Sequence, residues 1–168
     1  MSNNSPSFNV LELLESQHTE VDELIEQLEN GTGDRTAVFR ELADKLAAHA
    51  TVEEKLFYPA VMQSETSELL HRSVEDHLNI KRVLANMLDP EADEDEFEEE
   101  LADLKDKVSH HAHEEEEGEL FPIVRRSMSE DELAGLGNEV LVMFEQLMEK
   151  EPRRSVPDET YEAAQLPG

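Results

Sequence analysis

Apolar residues recur at helical spacing along most of this chain, and in four stretches the series is broken by a histidine where another apolar residue is due. From about Asn9 to Glu29 the series reads Leu11, Leu14, His18, Val21, Ile25, Leu28. From Asp34 toward Pro59 it reads Val38, Leu42, Leu46, His49, Glu53, Phe57. From about Ser67 to Leu88 it reads Leu70, Val74, His77, Leu84, Leu88. From the acidic run Asp93 to Glu96 toward Pro122 it reads Phe97, Leu101, Leu104, Val108, His111, Glu115. Residues in phase with an apolar stripe point into the core. Buried charged groups cost several kcal/mol each unless they are paired or bound to a metal. Four histidines and two carboxylates turned inward on four helices therefore point to a metal centre between them.

The same periodicity sets the fold class. Asn9 with Glu12 forms a capping box at the first start, and Asn30-Gly31 supplies a stop. A fifth helix, about Glu130 to Lys150, opens on a Ser129-to-Glu132 box and carries Leu133, Leu136, Val140, Leu141, Phe144 and Leu147. No stretch shows sustained two-residue alternation. Short connections make neighbouring helices antiparallel. The expected architecture is all-α: an up-down-up-down four-helix bundle over residues 9–150 with an additional C-terminal helix. Residues 1–8 are expected to be an N-terminal arm. Residues 151–168 hold three prolines and no period, and are expected to be a flexible tail.

Composition narrows the function classes. The chain has 168 residues, 42 acidic against 14 basic, for a formal charge of −28, and no cysteine. Without cysteine there is no disulfide, thiolate zinc site, iron–sulfur cluster or cysteine nucleophile. The charge argues against nucleic-acid and anionic-membrane partners. No apolar run approaches the roughly 18 residues that span a bilayer. Residues Met1 to Phe8 lack the marks of a secretory signal, so a cytoplasmic protein is expected. No phosphate loop or nucleophile elbow is present.

The two halves of the pattern repeat. Leu46, His49 and Glu53 share the spacing of Val108, His111 and Glu115, and each set runs into an aromatic-proline ending, Phe57-Tyr58-Pro59 and Phe121-Pro122. A histidine and a carboxylate four residues on lie on one helix face, and two such helices can place two carboxylates between two ions. His49 lies ten residues before Pro59 but His111 eleven before Pro122, so a bulge would bring Glu116 in place of Glu115. His113 with Glu117 is a weaker choice. His71 is off its stripe and expected on the surface, and His110 and His113 are expected to be solvated or to support His111.

The order His, His-x-x-x-Glu, His, His-x-x-x-Glu resembles the hemerythrin-like, or HHE cation-binding, family. The local text agrees: His49-Ala-Thr-Val-Glu53-Glu54, Glu75-Asp76-His77, and His110-His111 before Glu-Gly-Glu-Leu-Phe-Pro122. The resemblance spans about residues 8 to 148. It implies a hemerythrin-type bundle with two non-haem irons bridged by an oxo or hydroxo group. His18, His49, His77 and His111 would be terminal ligands, with Glu53 and Glu115 bridging. Oxygen carriers of this family place a further histidine where Ser73 stands, so the site here would be more open. Glu54, Tyr58, His71 or Glu114 could supply the missing bond.

The function so implied is binding, sensing or storage of dioxygen, peroxide or nitric oxide. A di-iron peroxidase or catalase-like activity is the alternative, and a ferritin-like iron oxidase a weaker one. The sequence leaves turnover open. The mixed imidazole and carboxylate donors suit a transition metal over calcium or magnesium.

Overall fold

Asn9 Oδ1 accepts from the Glu12 amide at 2.9 Å while Glu12 reaches back to the Asn9 amide, and this box starts the first helix, α1 (Val10–Asn30). Gly31, at φ 68°, stops it in the left-handed conformation that glycine adopts without strain. The computed structural model describes residues 9–166, so the expected arm at residues 1–8 lies outside the described residues. Asp34 caps α2 (Arg35–Val52), which continues through a π-helical segment, Glu53–Phe57, into α3 (Tyr58–Val61). Next comes α4 (Ser67–Leu88). Asp93 caps α5 (Glu94–Ser109), which continues through a longer π segment, His110–Leu120, into α6 (Phe121–Ser127). Ser129 and Glu132 form the box that opens α7 (Glu130–Glu149).

These pieces make four rods: α1, α2 with α3, α4, and α5 with α6. The connections 31–34, 62–66 and 89–93 are short, so successive rods run antiparallel. Helix α7 lies outside the bundle against α1 and α2. There is no strand among the described residues, and no helix there is long and apolar enough to cross a membrane. The expected bundle with its additional helix is the fold observed.

Both π segments end against a proline. Pro59 and Pro122 have no N–H to close an ordinary helical turn, and their rings crowd the carbonyl four residues back. The chain widens instead. The Tyr58 amide bonds to the Glu53 carbonyl and the Phe121 amide to that of Glu116, each five residues earlier. The widened turns lie where the stripes change from apolar to ionisable.

The core is split by depth. One apolar cluster holds Leu11, Leu14, Phe57, Val61, Leu70 and Phe121, sealed by Leu133 and Val140 of α7. The other holds Ile25, Phe39, Leu42, Leu84, Leu104 and Val108. Between them in sequence, on every rod, sit the buried polar residues: Gln17 and His18, His49 and Glu53, Ser73 and His77, His111, Glu115 and Glu116.

The segment expected to be a flexible tail is laid against the bundle. A 3-10 helix, Pro152–Glu159, runs beside α2 and α4 and buries Val156 completely in the second apolar cluster. The Arg153 amide and guanidinium both bond to Asp44, at 3.0 and 2.9 Å, and Arg82 Nε donates to the Thr160 carbonyl at 3.0 Å. Burying one valine contributes about 1.5–3 kcal/mol, which adds to these bonds against the entropy lost in ordering the segment. Replacing Val156 by Asp is therefore expected to expose residues 152–166 to limited proteolysis while the bundle stays folded. Leu104→Ala, by contrast, is expected to lower the stability of the whole chain by about 2–5 kcal/mol in urea unfolding.

Candidate metal centre

Each rod contributes one histidine at the same depth, and the helix geometry decides how the carboxylates meet them. On the second rod His49 and Glu53 are one α-helical turn apart, and their nearest atoms, Nε2 and Oε2, lie 3.3 Å apart. On the fourth rod the π segment begins beside His111, so the residue stacked over it is five positions on, not four. That residue is Glu116. The structure thus brings Glu116, not Glu115, to the other buried donors.

The donors form two adjoining groups. His18 Nε2, His49 Nε2, one oxygen of Glu53 and one of Glu116 lie together. Beside them lie the other oxygen of Glu53, His77 Nε2 and His111 Nε2. Glu53 turns Oε2 toward His49 and Oε1 toward His77 at 3.0 Å. Glu116 turns Oε1 toward His18 at 2.9 Å and Oε2 toward His111 at 3.5 Å. Both carboxylates therefore span two pairs of imidazoles, and both are fully buried.

Three of the imidazoles are aimed by partners on their outward nitrogens. His18 Nδ1 meets Glu117 at 2.6 Å, His49 Nδ1 meets Gln17 Oε1 at 2.6 Å, and His77 Nδ1 meets Glu54 at 2.7 Å. A proton on each Nδ1 leaves the lone pair of Nε2 facing inward, the arrangement that metal-binding histidines use. Glu54 is itself steadied by Lys81 at 3.6 Å. His113 bonds to Asp22 at 2.7 Å and to Glu117 at 3.0 Å, so it supports His18 through Glu117 and does not reach the centre. His71 bonds to its own helix at the Ser67 carbonyl and is exposed. His110 and Glu114 are also exposed.

Tyr58 enters the second group from the first π segment. Its hydroxyl donates to Glu116 Oε2 at 2.6 Å and lies 3.3 Å from both His77 Nε2 and His111 Nε2. Among the candidates for an additional ligand, Tyr58 is the one whose side chain arrives there. Ser73, where a longer residue would compete for this space, is completely buried and its hydroxyl has no completed bond.

Without a cation this layer is electrostatically strained. His77 Nε2 and His111 Nε2 face one another at 3.0 Å, and two lone pairs at that distance repel unless a proton or a metal lies between them. His49 Nε2 and Glu53 Oε2 are buried with no hydrogen-bond partner. Burial works against a charged His18, but bonds to Glu116 and Glu117 outweigh it and hold its pKa at about 10. Burial opposes ionisation of Glu53 as well, yet His49 beside it keeps it well below the usual carboxylate range. Tyr58 is pushed well above its ordinary value by burial and by Glu116 and Glu53. The donor set, imidazole nitrogen with carboxylate oxygen, fits a transition metal, and unpartnered atoms at its middle are what such an ion would engage.

Next to the imidazoles is a cavity of about 30 Å³, walled by Val21, Leu46, Ala47, Ile80 and Leu84 and by Lys81. One water needs about 10–15 Å³ of such space, so the cavity has room for a molecule of a few atoms.

The Hemerythrin HHE cation binding domain matches residues 9–124. Among solved structures, a hemerythrin HHE cation binding domain-containing protein from Mycobacterium kansasii superposes with a TM-score of 0.76. It is 24% identical, over 88% of this chain and 99% of that one. No curated protein matches the chain.

The raised pKa of His18 has a sign that can be tested. Its protonated form stabilises the metal-free fold fully below about pH 6.5, and the contribution is lost as pH rises through about 10. The urea midpoint of metal-free protein should fall over that window, and His18→Asn should flatten the fall. An unchanged slope in the variant would remove His18 from the account.

Proposed function

The chain belongs to the hemerythrin HHE cation-binding domain family, and we propose that its buried layer holds two non-haem iron ions that bind a small neutral ligand, dioxygen foremost and nitric oxide next. The observation that carries this reading is the division of donors. One pair of imidazoles, His18 and His49, faces one side of Glu53 and Glu116, and the pair His77 and His111 faces the other. Glu116, in place of Glu115, would be the second carboxylate to hold the ions, since its two oxygens are turned to His18 and His111. Iron bound there supplies electrons and an open coordination position.

This chain's own residues would set the conditions. Glu117, Gln17 and Glu54 fix the imidazoles of His18, His49 and His77 in one orientation. Val21, Leu46, Ile80 and Leu84 give the cavity beside them an apolar wall. The −28 charge of the chain repels anions at long range and leaves a neutral diatomic molecule unaffected.

A second reading, peroxide turnover, is favoured by Tyr58. Its hydroxyl carries a proton within bonding distance of Glu116 and close to His77 and His111, where a reacting oxygen could receive it.

Metal analysis with an absorption spectrum tests the reading. Two irons per chain are expected after anaerobic loading. His49→Ala, His111→Ala and Glu116→Gln are expected to lose most of the iron, whereas His71→Ala and Glu115→Gln keep it. Equal loss in all five variants would overturn the assignment. Peroxide turnover that disappears in an iron-replete Tyr58→Phe variant would establish the second reading over simple binding.

A further inference from the structure

His111 differs from the other three imidazoles on its outward side. Its Nδ1 has no completed hydrogen bond, although His18, His49 and His77 each have a partner within 2.7 Å. It faces two carboxylates instead, Asp76 Oδ2 at 3.4 Å and Glu115 Oε1 at 3.7 Å. Those two oxygens are buried and also unpartnered. Glu115 is only 3% exposed. Its other oxygen is 3.9 Å from Arg72, while Oε1 is turned to the cluster and lies 3.8 Å from His110 Nε2. Asp76, His111 and Glu115 thus converge at the outer edge of the layer with three buried atoms unmatched, and His110 approaches them on the Glu115 side.

The sequence explains how Glu115 comes to be there. Glu53 stands the same interval before Pro59 as Glu116 before Pro122, so the extra residue of the second half falls between His111 and Glu116. Glu115 has no counterpart in the first half. The π segment that brings Glu116 inward turns Glu115 to the side, toward Asp76 on α4.

We propose that Asp76, Glu115 and His110 hold an additional divalent cation of the zinc or ferrous class, separate from the buried pair. Two carboxylate oxygens and an imidazole nitrogen make a three-donor set with room for water, which suits such ions better than calcium. Asp76 and His110 both reach solvent, which gives the ion an entry path. His111 lies between this cation and the centre, with its Nδ1 turned toward the Asp76 carboxylate at 3.4 Å. The proposal rests on the assigned centre only in that His111 faces it with its other nitrogen.

The probe is zinc added in excess to the iron-loaded protein, with bound zinc and iron counted after free metal is removed. Wild type is expected to retain one zinc per chain more than an Asp76→Asn, Glu115→Gln double variant, at equal iron content. His110→Ala is expected to weaken the zinc roughly tenfold or more. Anomalous scattering at the zinc edge should place the ion between Asp76 and Glu115. Equal zinc in wild type and double variant would overturn the site. So would a double variant that loses iron together with zinc, because its carboxylates would then belong to the buried centre. If the wild type takes up no iron at all, the proposed centre fails, yet the difference in zinc between wild type and double variant still decides the additional site.

Discussion

Everything in this bundle is organised around a layer of ionisable groups that water cannot reach. Glu53 and Glu116 are fully buried, and His18, His49, His77 and His111 are nearly so. Removing such groups from solvent is repaid only by close opposite charge and complete hydrogen bonding. The protein alone supplies part of this. Imidazolium forms of His18 and His111 are favoured by the carboxylates around them, and the outward nitrogens of three histidines are tied down. It leaves His49 Nε2 and Glu53 Oε2 unmatched at the heart of the layer. A cation-binding family accounts for that residue better than a structural polar core, which would satisfy its own atoms.

The proline-linked π segments are the local device that makes the layer possible. An α-helix offers ionisable side chains to its neighbours every three or four residues, and with fixed phase. Widening the helix at Glu53–Phe57 and His110–Leu120 alters that phase where the donors are needed. Glu53 and Glu54 then both serve the second rod, one toward the centre and one on His77 Nδ1. Glu116 and Glu117 do the same on the fourth rod, one toward the centre and one on His18 Nδ1. The halves are alike when counted back from their prolines and unlike when counted forward from their histidines.

That asymmetry marks what could be read from the sequence. His18, His49 and His77 sit in regular α-helix, so phase along the apolar stripe locates them without ambiguity. Glu53 follows His49 by one ordinary turn. Glu115 satisfied the same rule, but a π turn has a different period, and only the interval to Pro122 carried the signal for Glu116. Tyr58 is one of four candidates for an additional ligand in the sequence, because nothing in periodicity distinguishes a tyrosine that fills the core from one whose hydroxyl enters a site. Gln17 gives no signal on a polar helix face, and in a chain with 42 carboxylates nothing in the sequence assigns Glu54 and Glu117 to the outward nitrogens of His77 and His18. The segment after α7 has no apolar period, because its hold is one buried valine and scattered polar contacts, Arg153 on Asp44 and Arg82 on the Thr160 carbonyl among them.

The division of the apolar core has a consequence for how the fold holds together. Leu11, Leu70 and Phe121 belong to one greasy end, Leu42, Leu84 and Leu104 to the other, and no apolar cluster joins them. Cooperativity across a bundle normally travels through continuous side-chain packing. Here it must cross the ionisable layer, so the pairing of His18, His49, His77 and His111 with Glu53 and Glu116 is what ties the two half-cores to one another.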